Sequence, residues 1–257
     1  MADMKIKIHK SKISKKGYSK FSFPSYTRKQ IDESEQDGSM PSVTKLALEK
    51  VTSGHTETAA VGFFAIKNLD RIILRMKNEQ EKFGKCLNHL VSVFTDIITS
   101  EDGVIDRFTG NGASYAYTIT RSPIEAIKNS IIAALRMRYI LNKLNRNWEF
   151  YHDDSWKIGF GLDFGDVNLM DHPKNEYPYT SISGKPALTS RGIGKSAVSG
   201  QIYLPESIIL QFPFIETLFD TKPPKHVPVM GMDYSCKTRE IIGMIGPQAK
   251  KIYETYV

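Results

Sequence analysis

Apolar and polar positions in this chain alternate between two periods. Thr58 to Ile66 (TAAVGFFAI) is a continuous apolar run of strand length, which predicts a central strand buried on both faces. A long helical region follows, in whose second half Phe83, Leu87, Leu90, Phe94 and Ile97 recur three or four apart, one buried helical face. Val104 to Phe108 and Ala113 to Ile119 flank Gly110-Asn111-Gly112, which predicts a β-hairpin with positive φ at both central residues of its Asn-Gly turn. Ser122, Pro123 and Glu125 form a capping-box start to a helix expected to bury Ile124, Ile127, Ile131 and Leu135. Trp156 to Val167 reads as a further strand pair, with Gly159, Gly161 and Gly165 where side chains would obstruct close approach. Ser183 to Ser196 reads as a loop entering a short helix, Gln201 to Leu204 as a strand and Glu240 to Ile245 as a final strand. The order β-α-β-β-α-β with later additions predicts the α+β class and a ferredoxin-like core.

Composition narrows the picture. With 257 residues, 40% hydrophobic and 25% charged, the chain is sized for one main domain. Residues 56–257 are expected to form it, and residues 1–55 a basic, partly flexible extension without sustained periodicity. No window reaches the ~18 consecutive apolar residues of a membrane span, and no apolar stretch follows the charged N-terminus, so a cytoplasmic protein without membrane or signal segment is expected. Cys86 and Cys236, the two cysteines, have no partner or His cluster at metal-ligand spacing and are expected to be reduced core thiols. The net charge of +7 is local: Met1 to Gln30 holds nine Lys and Arg against Asp3 alone, more than the whole excess. A basic arm of this kind suits RNA, a phosphate-rich surface or an acidic patch of a partner, or is a solvated terminus. No strand carries the aromatic-rich motif of base-stacking sheets, and DNA is not an expected partner.

Four separated segments then carry a resemblance. Val61-Gly62-Phe63-Phe64-Ala65-Ile66-Lys67-Asn68, Val104 to Gly112, Lys157 to Val167, and Tyr179 to Gly184 followed by Ala187 and Arg191 resemble, in order, motifs of the class III nucleotide cyclase catalytic domain. The resemblance covers about Ala59 to Ile245 and is closest in character to the pyrimidine cyclases of bacterial Pycsar antiphage systems. It implies conversion of a nucleoside triphosphate to a 3′,5′-cyclic nucleotide and pyrophosphate as a second messenger for a downstream effector. It also implies a head-to-tail homodimer with two interface sites, and two Mg²⁺ or Mn²⁺ ions per site. Such ions lower the pKa of the ribose hydroxyl and neutralise phosphate charge, and they need carboxylate oxygens.

The resemblance puts the metal positions at Ala65, Asn111 and Ile66, the first two being Asp in the family. Alanine has no ligand atom and asparagine offers a neutral carbonyl, so the chain as it stands is expected to be inactive. Two origins remain open: a natural pseudo-cyclase that binds nucleotide or a partner, or replacement of both Asp residues in an otherwise active enzyme, which the intact surroundings favour. Arg191 matches the catalytic arginine that stabilises the transition-state phosphorus. Arg107 and Thr180 stand at the base-reading positions, and Phe63, Ile66, Lys67 and Asn68 are carried over as substrate-binding. Arg107 is donor-only and suits carbonyl oxygens, as in uracil or guanine, with UTP the favoured substrate. Two family features are missing: Ala187 stands for the ribose-positioning Asn, and Val229 to Met232 replaces a late phosphate-binding Lys, for which Lys185, Lys225 or Lys237 are substitutes. Asp70 and Asp106 are the nearby carboxylates, neither at a family metal position.

Overall fold

A computed structural model describes residues 52–119, 122–147, 155–172 and 179–249; the basic extension lies outside the described residues except for its last four. Those four belong to β1 (Thr52–Ile66), which therefore begins ahead of the expected domain start. α1 (Leu69–Arg75), α2 (Gln80–Thr99), β2 (Val104–Ile105), β3 (Gly112–Thr118), α3 (Pro123–Asn147) and β4 (Ile158–Asp171) follow, then β5 (Thr180–Ser183), α4 (Lys185–Ser196) and β6 (Ile202–Pro205). The C-terminal additions are α5 (Glu206–Gln211), α6 (Phe214–Leu218), β7 (Phe219–Thr221), β8 (Lys225–Pro228) and β9 (Ser235–Met244). Among the described residues the strands form one sheet in the order β2-β3-β1-β4-β6-β9-β7, with β5 on β4 and β8 on β9. The first four strands stand in the order β4-β1-β3-β2, each pair antiparallel, as a split βαβ core requires.

β1 is the central element because its TAAVGFFAI run is apolar on both faces. Phe64 and Ile66 point to the side covered by α2 and α3, where Leu90, Phe94, Ile97, Ile131 and Leu135 complete the main core. Phe64 meets Phe94 edge to face at 5.1 Å. Ala59 and Val61 point to the other side, packing with Ala116, Val167, Ile182 and Ala187. That second face carries α4 in very close contact: a Cβ at Gly161 of β4 would lie 2.1 Å from Ser190 O and 2.4 Å from Gly194 N. Small residues on strand and helix let the two backbones approach.

Several local expectations are corrected. The helical region after β1 is two helices, separated by a turn at residues 76–79. Trp156 to Val167 is not a strand pair; Ile158 to Asp171 runs as one strand along β1. The hairpin turn has positive φ at Gly110 (62°), whereas Asn111 and Gly112 keep negative φ. Thr109 and Gly112 exchange backbone hydrogen bonds across it, so the pattern is type II′, with glycine at the first central position, rather than type I′. Ser122 does cap α3, its Oγ accepting from Glu125 N at 3.1 Å, but Ile124 is 49% exposed while Ile127, Ile131 and Leu135 are buried. Cys86 is a buried thiol, while Cys236 is only half-buried, lining a cavity. No helix among the described residues is long and apolar enough to cross a membrane.

Replacing Gly161 with Ala is expected to destabilise the protein by about 1–3 kcal/mol, because only backbone atoms stand in the way. Gly84→Ala in α2, where a Cβ meets nothing within 4 Å, should instead stabilise by about 0.5–1 kcal/mol. Chemical denaturation of both variants checks the contrast, and equal effects would show that α4 does not press on β4.

Candidate functional site

The end of β1 and the hairpin turn meet. Ala65 pairs with Gly112, Ile66 N donates to Asn111 O at 2.6 Å, and Asn111 Nδ2 donates to Ile66 O at 3.1 Å. The three positions assigned to metal by resemblance thus form one joint between two strand ends. Their chemistry does not fit a divalent cation. Ala65 offers no donor atom, and the Asn111 amide presents its N–H, not an oxygen lone pair, to the Ile66 carbonyl. Among the described residues no group of three or more His, Cys, Asp or Glu side chains converges to hold a metal. Asp70 is exposed in the first turn of α1. Asp106 lies in the register row of Ser114 and Phe63, one step along the face from Ala65 and Gly112.

Arg191 projects from α4 over the same face. Its guanidinium carbon lies 5.7 Å from the Phe63 ring centroid, and Nη2 lies 3.5 Å from Ser114 Oγ. Its Nε is buried with no partner among the described residues. Ala187, one turn earlier, is buried against Val61 and Ile182, so the position assigned to the ribose by resemblance is filled by packing rather than by a polar group. At the far edge Arg107 sits 5.5 Å above the Tyr179 ring, which stacks on His172 at 4.5 Å. Thr180 Oγ1 donates to Asp171 Oδ1 at 2.7 Å. The two positions assigned to the base by resemblance therefore stand close to each other, beside β2 and β5.

Two of the carried-over residues are engaged elsewhere. The Lys67 ammonium donates to Gly194 O at 2.8 Å and to Lys195 O, the last carbonyls of α4, where a cation is favoured by the helix dipole. Burial, aided by Lys195, lowers its pKa to about 8. Asn68 accepts from Lys157 N at 3.0 Å and donates to Ser155 O at 2.9 Å, tying the start of α1 to the entry of β4. Of the substitute lysines, Lys225 stacks on Tyr203 at 4.7 Å and Lys237 pairs with Glu206 at 2.6 Å. Lys185 and Lys237 line a separate cavity.

No family model matches the chain, and no curated protein does. Solved structures do match. The chain resembles the adenylyl cyclase CyaB from P. aeruginosa, with a TM-score of 0.65 at 14% identity over 77% of this chain and 99% of that one. It resembles the guanylate cyclase domain of RhGC from Catenaria anguillulae, in complex with GTP, with a TM-score of 0.59 at 17% identity over 76% and 100%. The catalytic core of a rhodopsin-guanylyl cyclase with converted specificity, in complex with ATPαS, matches with a TM-score of 0.59 at 18% identity, again over 76% and 100%. The fold is that of adenylyl and guanylyl cyclase catalytic domains.

One titratable group escaped the sequence reading because nothing in its neighbours marks it as enclosed. A cavity of about 760 Å³ lies between β4, the start of α4, α5 and the β8–β9 connection. Asp163 faces it, its Oδ1 accepting from Phe164 N at 2.9 Å. Burial pushes its pKa up to about 6, outweighing the hydrogen bonds from Phe164 and Thr189 and the charge of Lys185. A carboxyl whose folded pKa exceeds its unfolded one binds extra protons in the folded state. Stability contributed there is present below the unfolded pKa near 4 and is lost as pH rises through about 6. Asp163→Asn should therefore raise the melting temperature near neutral pH and have little effect near pH 4; a loss of stability near neutral pH would contradict the burial argument.

Proposed function

We propose that this chain is a nucleotide-handling domain of the cyclase type that binds a nucleoside triphosphate and, with Ala65 and Asn111 in place, does not turn it over. The observation that carries the reading is the shared placement, in an adenylyl and guanylyl cyclase fold, of the strand-end joint at Ala65 and Asn111 and the Arg191 guanidinium on one sheet face. Structural neighbours with the same fold are described in complex with GTP and with ATPαS, which supports a triphosphate ligand here.

The roles of the residues follow from their chemistry. Arg191, a donor fork with an unused buried Nε–H, is suited to the charge of a triphosphate. Arg107, backed by the Tyr179 ring, presents donors to the carbonyl of a base, uracil or guanine, with UTP the favoured substrate. Lys67 acts through packing: it holds the end of α4, and hence Arg191, against β1. Turnover requires charge that the present side chains do not supply at residues 65 and 111, so the reaction belongs to a form carrying carboxylates there. In that form the product is a 3′,5′-cyclic nucleotide and pyrophosphate, from a homodimer with two sites and with Mg²⁺ or Mn²⁺ as cofactor. The resemblance to pyrimidine cyclases makes antiphage signalling the corresponding biological role. A second reading, a binding module that senses nucleotide or a partner, is favoured by the Asn111–Ile66 bond, which closes the joint without any ion.

Two measurements separate them. The chain as it stands should bind nucleoside triphosphate and release no cyclic product. The double variant Ala65→Asp, Asn111→Asp, incubated with each of the four triphosphates and Mn²⁺ or Mg²⁺, should form cyclic product from at least one. Product from none of them would overturn the cyclase reading and leave the binding module.

A further inference from the structure

Asp106 is unclaimed by the reaction, yet it stands where two base-reading elements meet. Its backbone N donates to Ser114 O at 2.9 Å, which extends the β2–β3 ladder by one pair. Val104, two residues earlier, packs with the cluster under α4, so period-two alternation turns the Asp106 side chain to the Arg191 face. One carboxylate oxygen, Oδ1, accepts from Arg107 N at 2.7 Å, and Oδ2 lies 3.5 Å from Ile182 N on β5. The next residue, Arg107, reaches Tyr179. Consecutive residues of the hairpin strand thus cross to both ends of the segment that holds Thr180. Because the Thr180 hydroxyl spends its proton on Asp171, it has only lone pairs left to offer. This edge therefore offers one donor fork, Arg107, and two acceptors, the Thr180 hydroxyl oxygen and the carboxylate oxygen Asp106 Oδ2, of which only Asp106 carries charge.

We propose that Asp106 is a specificity-determining residue that, together with Arg107, selects bases carrying a lactam edge, O=C–N–H. This rests on the nucleotide-binding reading above and adds a discrimination to it. Uracil and guanine both present a carbonyl oxygen beside a ring N–H, matching a donor next to an acceptor. Cytosine and adenine present an amino group beside an unprotonated ring nitrogen, the reverse polarity, which sets donor against donor and lone pair against lone pair. The 3.5 Å contact to Ile182 is too long to saturate Oδ2, so an arriving N–H finds an underused acceptor. Burial raises the Asp106 pKa against the pull of its backbone bonds and of Arg107 and Arg191, and an N–H from the ligand supplies hydrogen bonding that this partial burial removes. At acid pH the protonated carboxyl becomes a donor facing a donor, and the selection weakens.

The test is the affinity of the full chain for UTP, GTP, CTP and ATP by titration calorimetry near neutral pH, repeated with Asp106→Asn. UTP and GTP should bind at least about tenfold tighter than CTP and ATP, the discrimination of one good two-point contact. In D106N, whose amide can turn either group to the ligand, the gap should shrink to about threefold or less, with the melting temperature checked to confirm folding. Equal affinity for all four nucleotides, or an unchanged preference in folded D106N, overturns the role of Asp106 while leaving nucleotide binding intact. Failure of any nucleotide to bind overturns the nucleotide reading and this inference with it.

Discussion

The site depends on one strand having no free side. β1 is paired with β3 along one edge and with β4 along the other, and it packs apolar residues above and below. Such a strand cannot shift by a residue without sending Phe64 and Ile66 to the α4 side and Ala65 into the helical core. Its register therefore fixes what lies at its end: Ala65 opposite Gly112 on one neighbour and Gly159 on the other. The contact of α4 with Gly161 then sets the height of Arg191 above that row, with the Lys67 ammonium anchoring the helix C-terminus. Strand register and one backbone-to-backbone helix contact together bring residues 65, 111 and 191 to one face.

Much of the core was legible in the sequence because its signals are local. The apolar run of β1, the spacing of Leu87, Leu90 and Phe94, the Ser122 cap and the hairpin glycines each act within a few residues, and the elements they mark are present, although β1 starts earlier, β2 ends at Ile105 rather than Phe108 and the turn is type II′. The failures are tertiary. Residues 76–79 carry no proline, and only Lys77 and Asn78 interrupt the helical pattern, so the break before α2 was not marked. Gly159, Gly161 and Gly165 look like punctuation, yet β4 runs through them because α4 and the Lys67 side chain need the space. The short elements α5, α6, β7 and β8 hold too few residues for either period to emerge.

The candidate site was legible in a different way. Residues 65, 111, 107, 180 and 191 carry no sign of chemistry in isolation; the resemblance singled them out, and the structure brings 65 to 111 and 107 to 179–180. What the resemblance missed is what it had no motif for. Lys67 and Asn68 lie in a segment resembling a substrate-binding one, yet their polar atoms are spent on α4 and on the entry to β4. Nothing adjacent in the sequence marks Asp106 or Asp163 as enclosed; the burial that raises their pKa values comes from elements distant in the chain, β5 beside Asp106 and α4 and α5 beside Asp163.

The side chain at residue 111 shows why the joint is self-consistent without a cation. A carboxylate there would set acceptor oxygens against the Ile66 carbonyl, two groups that repel unless a positive ion lies between them. The amide removes the conflict, since its N–H satisfies that carbonyl directly at 3.1 Å. Ala65 beside it adds no charge to be solvated in a fully buried position. Strand end and turn are therefore held by hydrogen bonds and packing, with no charge at residues 65 and 111 to be balanced. With residues 65 and 111 neutral, register and hydrogen bonding hold this end of β1 in place, and with it the face over which Arg191 lies.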